Sequence, residues 1–146
     1  MGYHISTVRY EKMTETGEIK RVSEKYLTDS LSVTEAEAIV TGRLAPYISG
    51  DMEVTKVEKS AIAEVMGNHE SDRFFLSKVA FINIDERSGK EKRNMSQWLI
   101  GATDYDAAKA ILQDEIGNSM ADIEIVGLVE SPIVEYFPTK PTSNGE

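Results

Sequence analysis

Few residues in this chain combine a reactive side chain with a spacing that chemistry could use. The 146 residues include two histidines, His4 and His69. His4 falls in a run that reads as a strand, and His69 lies in the polar stretch NHESD. They cannot form the paired-histidine zinc motif of a helix, and His69 is expected to be a solvated loop residue. The absence of cysteine excludes disulfides, thiolate metal sites and cysteine nucleophiles. No phosphate-cradling glycine loop, nucleophile elbow or calcium loop spacing occurs. Asp104 and Asp106 could hold a hard cation through oxygen. They stand at a helix start, however, where carboxylates cap free amides and favour the positive end of the dipole. The recurring pairs Asp51–Glu53 and Asp122–Glu124 are expected to alternate outward while Met52, Val54, Ile123 and Ile125 point inward. No catalytic residue, metal ligand or cofactor is assigned, and a non-enzymatic protein is expected.

Charge segregation points instead to binding. The chain carries a net charge of −9, which disfavours non-specific attraction to nucleic acid or anionic membrane. Two stretches around Arg9–Lys25 and Lys78–Arg93 are nevertheless net basic, and each adjoins an aromatic residue, Tyr26 or Trp98. Basic side chains beside aromatics on a sheet suit single-stranded nucleic acid, with stacked bases and neutralised phosphates. The expectation is that Arg9, Lys25, Lys78 and Arg93 contact phosphates while Tyr26 and Trp98 stack. The alternative is a protein-interaction adaptor or inhibitor that uses an acidic helix face or the apolar strand Phe74–Ile84.

The elements that must position these groups follow from periodicity. Tyr3–Lys12 and Lys20–Thr28 read as strands joined through Gly17. The phrase SVTE beginning at Ser32 is a capping box that opens a helix with Ala36, Ile39, Val40, Leu44 and Tyr47 on one face. Met52–Val65 reads as extended, bent at Ser60. The order then repeats: strands Phe74–Ile84 and Arg93–Gly101, a helix capped by Thr103 or Asp104, and a final extended run that Pro132 must bend or end. The phrases SAIAEVM (Ser60–Met66) and SPIVEYF (Ser131–Phe137) close the two halves. Matching positions keep a nearly constant offset, which predicts a tandem duplication of a β-β-α-β unit. The predicted class is α+β, a pseudo-two-fold antiparallel-sheet domain with two helices. A single domain over 1–138 would contain repeats 3–66 and 74–137, since one such unit is too small to be stable alone. Residues 139–146, polar and proline-bearing, are expected to be disordered.

The stretch VRYEKMTETGEIKRVSEKYLTDSLSVTEAEA, followed by APYISG, MADIEI and SPIVEYFP, resembles an uncharacterised domain-of-unknown-function family of small proteins. That family occurs in gut Bacteroidetes and their phages. The resemblance spans Gly2 to Pro138 and implies a cytoplasmic protein from a bacterium, prophage or phage, with no site residues to carry over; a phage or mobile-element accessory protein is the functional expectation. No apolar run approaches the roughly 20 residues of a membrane span. Homo-oligomerisation is compatible with everything above.

Overall fold

The computed structural model describes residues 2–138, so the segment 139–146, expected to be disordered, lies outside the described residues. The chain forms two compact units, Met1–Ser60 with Pro132–Glu146, and Ala61–Ser131.

In the first unit, β1 (Gly2–Met13) and β2 (Ile19–Ser30) form an antiparallel hairpin whose turn uses Gly17 at φ +85°. The helix α1 (Val33–Leu44) begins where the capping box requires: Ser32 Oγ accepts from the Glu35 amide at 3.1 Å. The Glu35 carboxylate reaches back to the Leu31 amide at 2.7 Å, so two orphan donors are satisfied reciprocally. Ala36, Val40 and Leu44 recur every four residues and form its buried stripe. After a 3₁₀ turn at Ala45–Tyr47, β3 (Met52–Lys59) pairs antiparallel with the other side of β1. The core between helix and sheet comprises Val8, Tyr26, Val40, Leu44 and Phe137.

The second unit starts with β4 (Ile62–Gly67), then β5 (Phe74–Ile84), β6 (Glu91–Gly101), α2 (Tyr105–Gly117) and β7 (Ile123–Ser131). Here β5 is antiparallel to both β6 and β7. It is therefore an inner strand, with Phe74, Phe75, Val79 and Ala80 all buried. Asp104 caps α2, its Oδ1 accepting from the Ala107 amide at 2.8 Å. Met66, Phe75, Val79, Trp98, Ile100, Ala102, Ala108 and Leu112 form the core.

The described residues form an α+β fold with two helices and two four-stranded sheets, ordered β3-β1-β2-β8 and β4-β6-β5-β7. Two expectations need correction. The sheets are mixed rather than antiparallel, because β8 (Ile133–Phe137) runs parallel to β2 and β4 runs parallel to β6. The two recurring phrases also do not close the halves they end. SAIAEVM supplies β4, which joins the second sheet, and SPIVEYF supplies β8, which joins the first. All three ladders of one sheet match those of the other in register, including bulges after Thr7 and Lys78 and after Lys25 and Ile62.

Candidate interaction surface

Strand alternation decides where the six expected contact residues fall. Lys25 and Tyr26 are neighbours on β2, so their side chains leave opposite faces. The register pairs Tyr26 with Ser6, on the face that carries Val8 and the helix-side core, and Lys25 with Thr7 on the other face. Arg9 shares the face of Lys25. The second sheet repeats this division, with Trp98 opposite Ser77 on the helix side and Lys78 and Arg93 on the other face. The structure thus puts Arg9 on the same face as Lys25, and Lys78 on the same face as Arg93 but four rungs away, and separates each pair from its aromatic.

Both aromatics are core residues, each 4% exposed. Tyr26 stacks on Phe137 with ring centroids 5.7 Å apart, and Phe81 meets Trp98 edge-on at 6.0 Å. Stacking on a base needs an open ring face, which neither ring presents. Tyr26 also donates its hydroxyl to Glu24 at 2.8 Å, beside Tyr10, which donates to the same oxygen at 2.6 Å. Burial, then the Glu24 carboxylate, push the Tyr10 hydroxyl up to about 12 and raise Tyr26 further.

The arginines are already engaged. Arg9 pairs with Glu53, and Arg93 binds Glu124 through two hydrogen bonds of 3.2 and 3.0 Å. Those bonds hold the Glu124 carboxyl below its usual range. One carboxylate of each acidic pair noted in the sequence thus partners a basic residue: Glu53 takes Arg9 of the adjacent β1, and Glu124 takes Arg93 of β6 from across β5. Lys25 and Lys78 make no ion pair among the described residues.

Three features escape periodicity arguments. The first is a buried polar cluster in the first unit. His4 Nδ1 lies 2.8 Å from Ser30 Oγ, which lies 3.0 Å from Thr28 Oγ1, and all three residues are buried. Nearby Ser6 is fully buried and its hydroxyl has no hydrogen-bond partner among the described residues. The second feature is the outer side of α2, where Tyr105, Asp106, Lys109, Gln113, Asp114 and Glu115 are exposed. Its last turn holds no basic residue. The third is the edge strand β7, with Val126 and Val129 exposed beside an apolar groove of about 370 Å³.

No group of three or more His, Asp and Glu side chains that could hold a metal occurs among the described residues. No helix among them is long and apolar enough to cross a membrane.

A family model described as a domain of unknown function (DUF4494) matches residues 2–139. The chain belongs to the DUF4494 family. Among curated proteins, none matches it. The DUF4494 match covers both sheets and both helices, so every feature above lies within the family's domain.

Proposed function

We propose that this DUF4494 protein is a non-enzymatic, cytoplasmic binding protein, and that the outer face of α2 docks on a basic surface of another protein. One observation carries the reading. Asp114 and Glu115 occupy the last turn of α2, where the helix dipole presents its negative end and no basic residue compensates. Carboxylates there oppose local stability, whereas α1 carries Arg43 in its last turn, the favourable sign. Residues held against the dipole fit an electrostatic contact better than a solvated face, and exposed Tyr105 and Met120 add apolar area at either end.

Single-stranded nucleic-acid binding is the second reading. It rests on Lys25 and Lys78, the two expected phosphate contacts without an ion pair, and would proceed without stacking. The tandem β-β-α-β duplication also remains our reading of the architecture, supported by the matching registers and bulges.

Fluorescence anisotropy with a labelled polybasic peptide and with oligo-dT, at low and raised salt, separates the two readings. Salt-sensitive peptide binding that disappears on Asp114→Lys with Glu115→Lys, but survives Glu15→Lys with Glu18→Lys, supports α2 docking. Equal loss in both variants reduces the effect to net charge, and binding of oligo-dT alone moves the function to the lysines. Glu115→Gln should meanwhile stabilise the fold by about half a kcal/mol in thermal denaturation while weakening peptide binding.

A further inference from the structure

The two sheets differ most at their antiparallel edges. In β3 the second half of the strand carries Lys56, Glu58 and Lys59, charges of the kind that discourage a second chain from adding to an edge. At the corresponding register β7 has Gly127, Val129 and Glu130, and the run from Ile125 to Val129 contains no charge. The stretch E-I-V-G-L-V-E (Glu124–Glu130) reads as the same chemical classes in both directions, with a carboxylate at each end of an apolar run. Each end carboxylate is gripped by an arginine: Glu124 by Arg93, and Glu130 by Arg73 through two bonds of 3.0 Å. The strand edge is therefore neutral from end to end.

An edge without uncompensated charge suits an antiparallel copy of itself, because an isologous contact sets the same run against itself and here brings no like charges together. We infer that two copies of this chain pair their β7 edges antiparallel about the Val126–Gly127 step, joining two four-stranded sheets into one. This inference does not rest on the α2 reading. The bulge fixes where the two-fold axis falls. Val126 is the residue skipped by the register with β5, and it lines the groove on the face away from α2, the face of Gly127 and its partner Lys78. With both residues on one face, the axis lies between them. Ile125 then meets Leu128 of the second copy, and Val126 meets Gly127. Glu124 and Glu130 leave opposite faces and do not confront each other. Val126 and Val129 line the groove beside Leu76 and Gln97, at the rim of the joined sheet.

Sedimentation velocity over a wide concentration range should show the mass doubling. Gly127→Lys with Val129→Glu transplants the residues of β3. A Cβ at Gly127 meets nothing within 4 Å and its φ is not positive, so this variant should keep the wild-type circular dichroism and thermal midpoint yet remain monomeric. A covalent test uses the lack of native cysteine. From a rise of about 3.4 Å and a strand spacing of about 4.8 Å, Gly127 and its copy lie about 6 Å apart, within disulfide reach. Oxidised Gly127→Cys should run as a dimer on a non-reducing gel, whereas Lys56→Cys on β3 should not. A wild-type chain that stays monomeric throughout, a dimer that survives Gly127→Lys with Val129→Glu, or cross-linking at Lys56→Cys instead would each overturn the inference.

Discussion

His4 and Phe75 stand on the same rung of two ladders that share a register, each on the face of its sheet that carries the helix-side core. In the first unit the rung pairs His4 with Thr28, and Ser30 follows. In the second it pairs Phe75 with Ile100, followed by Ala102. The first buried helix residue, Ala36 or Ala108, is small and fully buried in both. One architecture thus accepts a hydrogen-bonded polar end in one unit and an apolar end in the other. The polar version is held by directional bonds that fail singly, since losing one partner orphans the rest. The apolar version is held by non-directional burial and depends on volume. Stability can be built either way on this frame, but the two versions respond differently to mutation.

Four substitution and pH experiments probe that contrast. The largest effect belongs to the rings both cores share. Trp98→Ala should cost about 3–5 kcal/mol in urea denaturation, since it opens a cavity beside Phe81, and Tyr26→Ala should cost a similar amount. A loss below about 1 kcal/mol for either would mean that the ring is not a core element. Ser30→Ala comes next, at about 1–3 kcal/mol, because it strands His4 Nδ1 and leaves the Thr28 hydroxyl only its long bond of 3.4 Å to the His4 carbonyl, while removing little volume. If the loss matches that of an isolated surface serine, the cluster does not act as a unit.

Alkali should then weaken the first unit in particular. Tyr10 titrates near 12 in the folded chain against 10 unfolded, so its contribution is complete below pH 10. It is lost as pH rises from 10 toward about 12, because the unfolded chain releases the proton first. The loss should be about 1 kcal/mol, less than full linkage would give, since the ring is partly solvated. Denaturant midpoints should fall across that interval and fall less in Glu24→Gln. The smallest difference concerns two buried serines at equivalent positions. Ser77 donates to the Gly127 carbonyl at 2.9 Å, and Ser6 has no such partner. Ser77→Ala should cost about 1 kcal/mol and Ser6→Ala close to nothing. Equal costs would erase that distinction between the units.

Much of this fold is readable locally. The capping box at Ser32, the carboxylate at Asp104 and the breaks at Ser60 and Pro132 mark element ends, because each acts through its immediate neighbours. The division of Lys25 from Tyr26 was also present in the chain, since adjacent strand residues cannot share a face. Proximity in sequence suggested a joint site that alternation forbids. The destinations of β4 and β8 were not readable. Their phrases are nearly identical, and whether each joins one sheet or the other depends on partners far away in the chain. His4 looked like any strand residue, because its partners Thr28 and Ser30 lie across a hairpin. The open edge of β7 emerges only once the strand order shows which strands end a sheet.

The exchange of final strands has a consequence for how the protein is made. Translation delivers β1, β2, α1 and β3 early, yet Lys25 must wait for Ile133 before the first sheet has its fourth strand. The second sheet has no such delay, since β4 leaves the ribosome ahead of β5 and β6. Domains released in order usually fold in order. Here the portion synthesised first is completed last, so the nascent chain carries an unfinished sheet edge through most of its elongation. A long-range closure of that kind is slow. It makes β8 the step at which a stalled or truncated product would be recognised as incomplete.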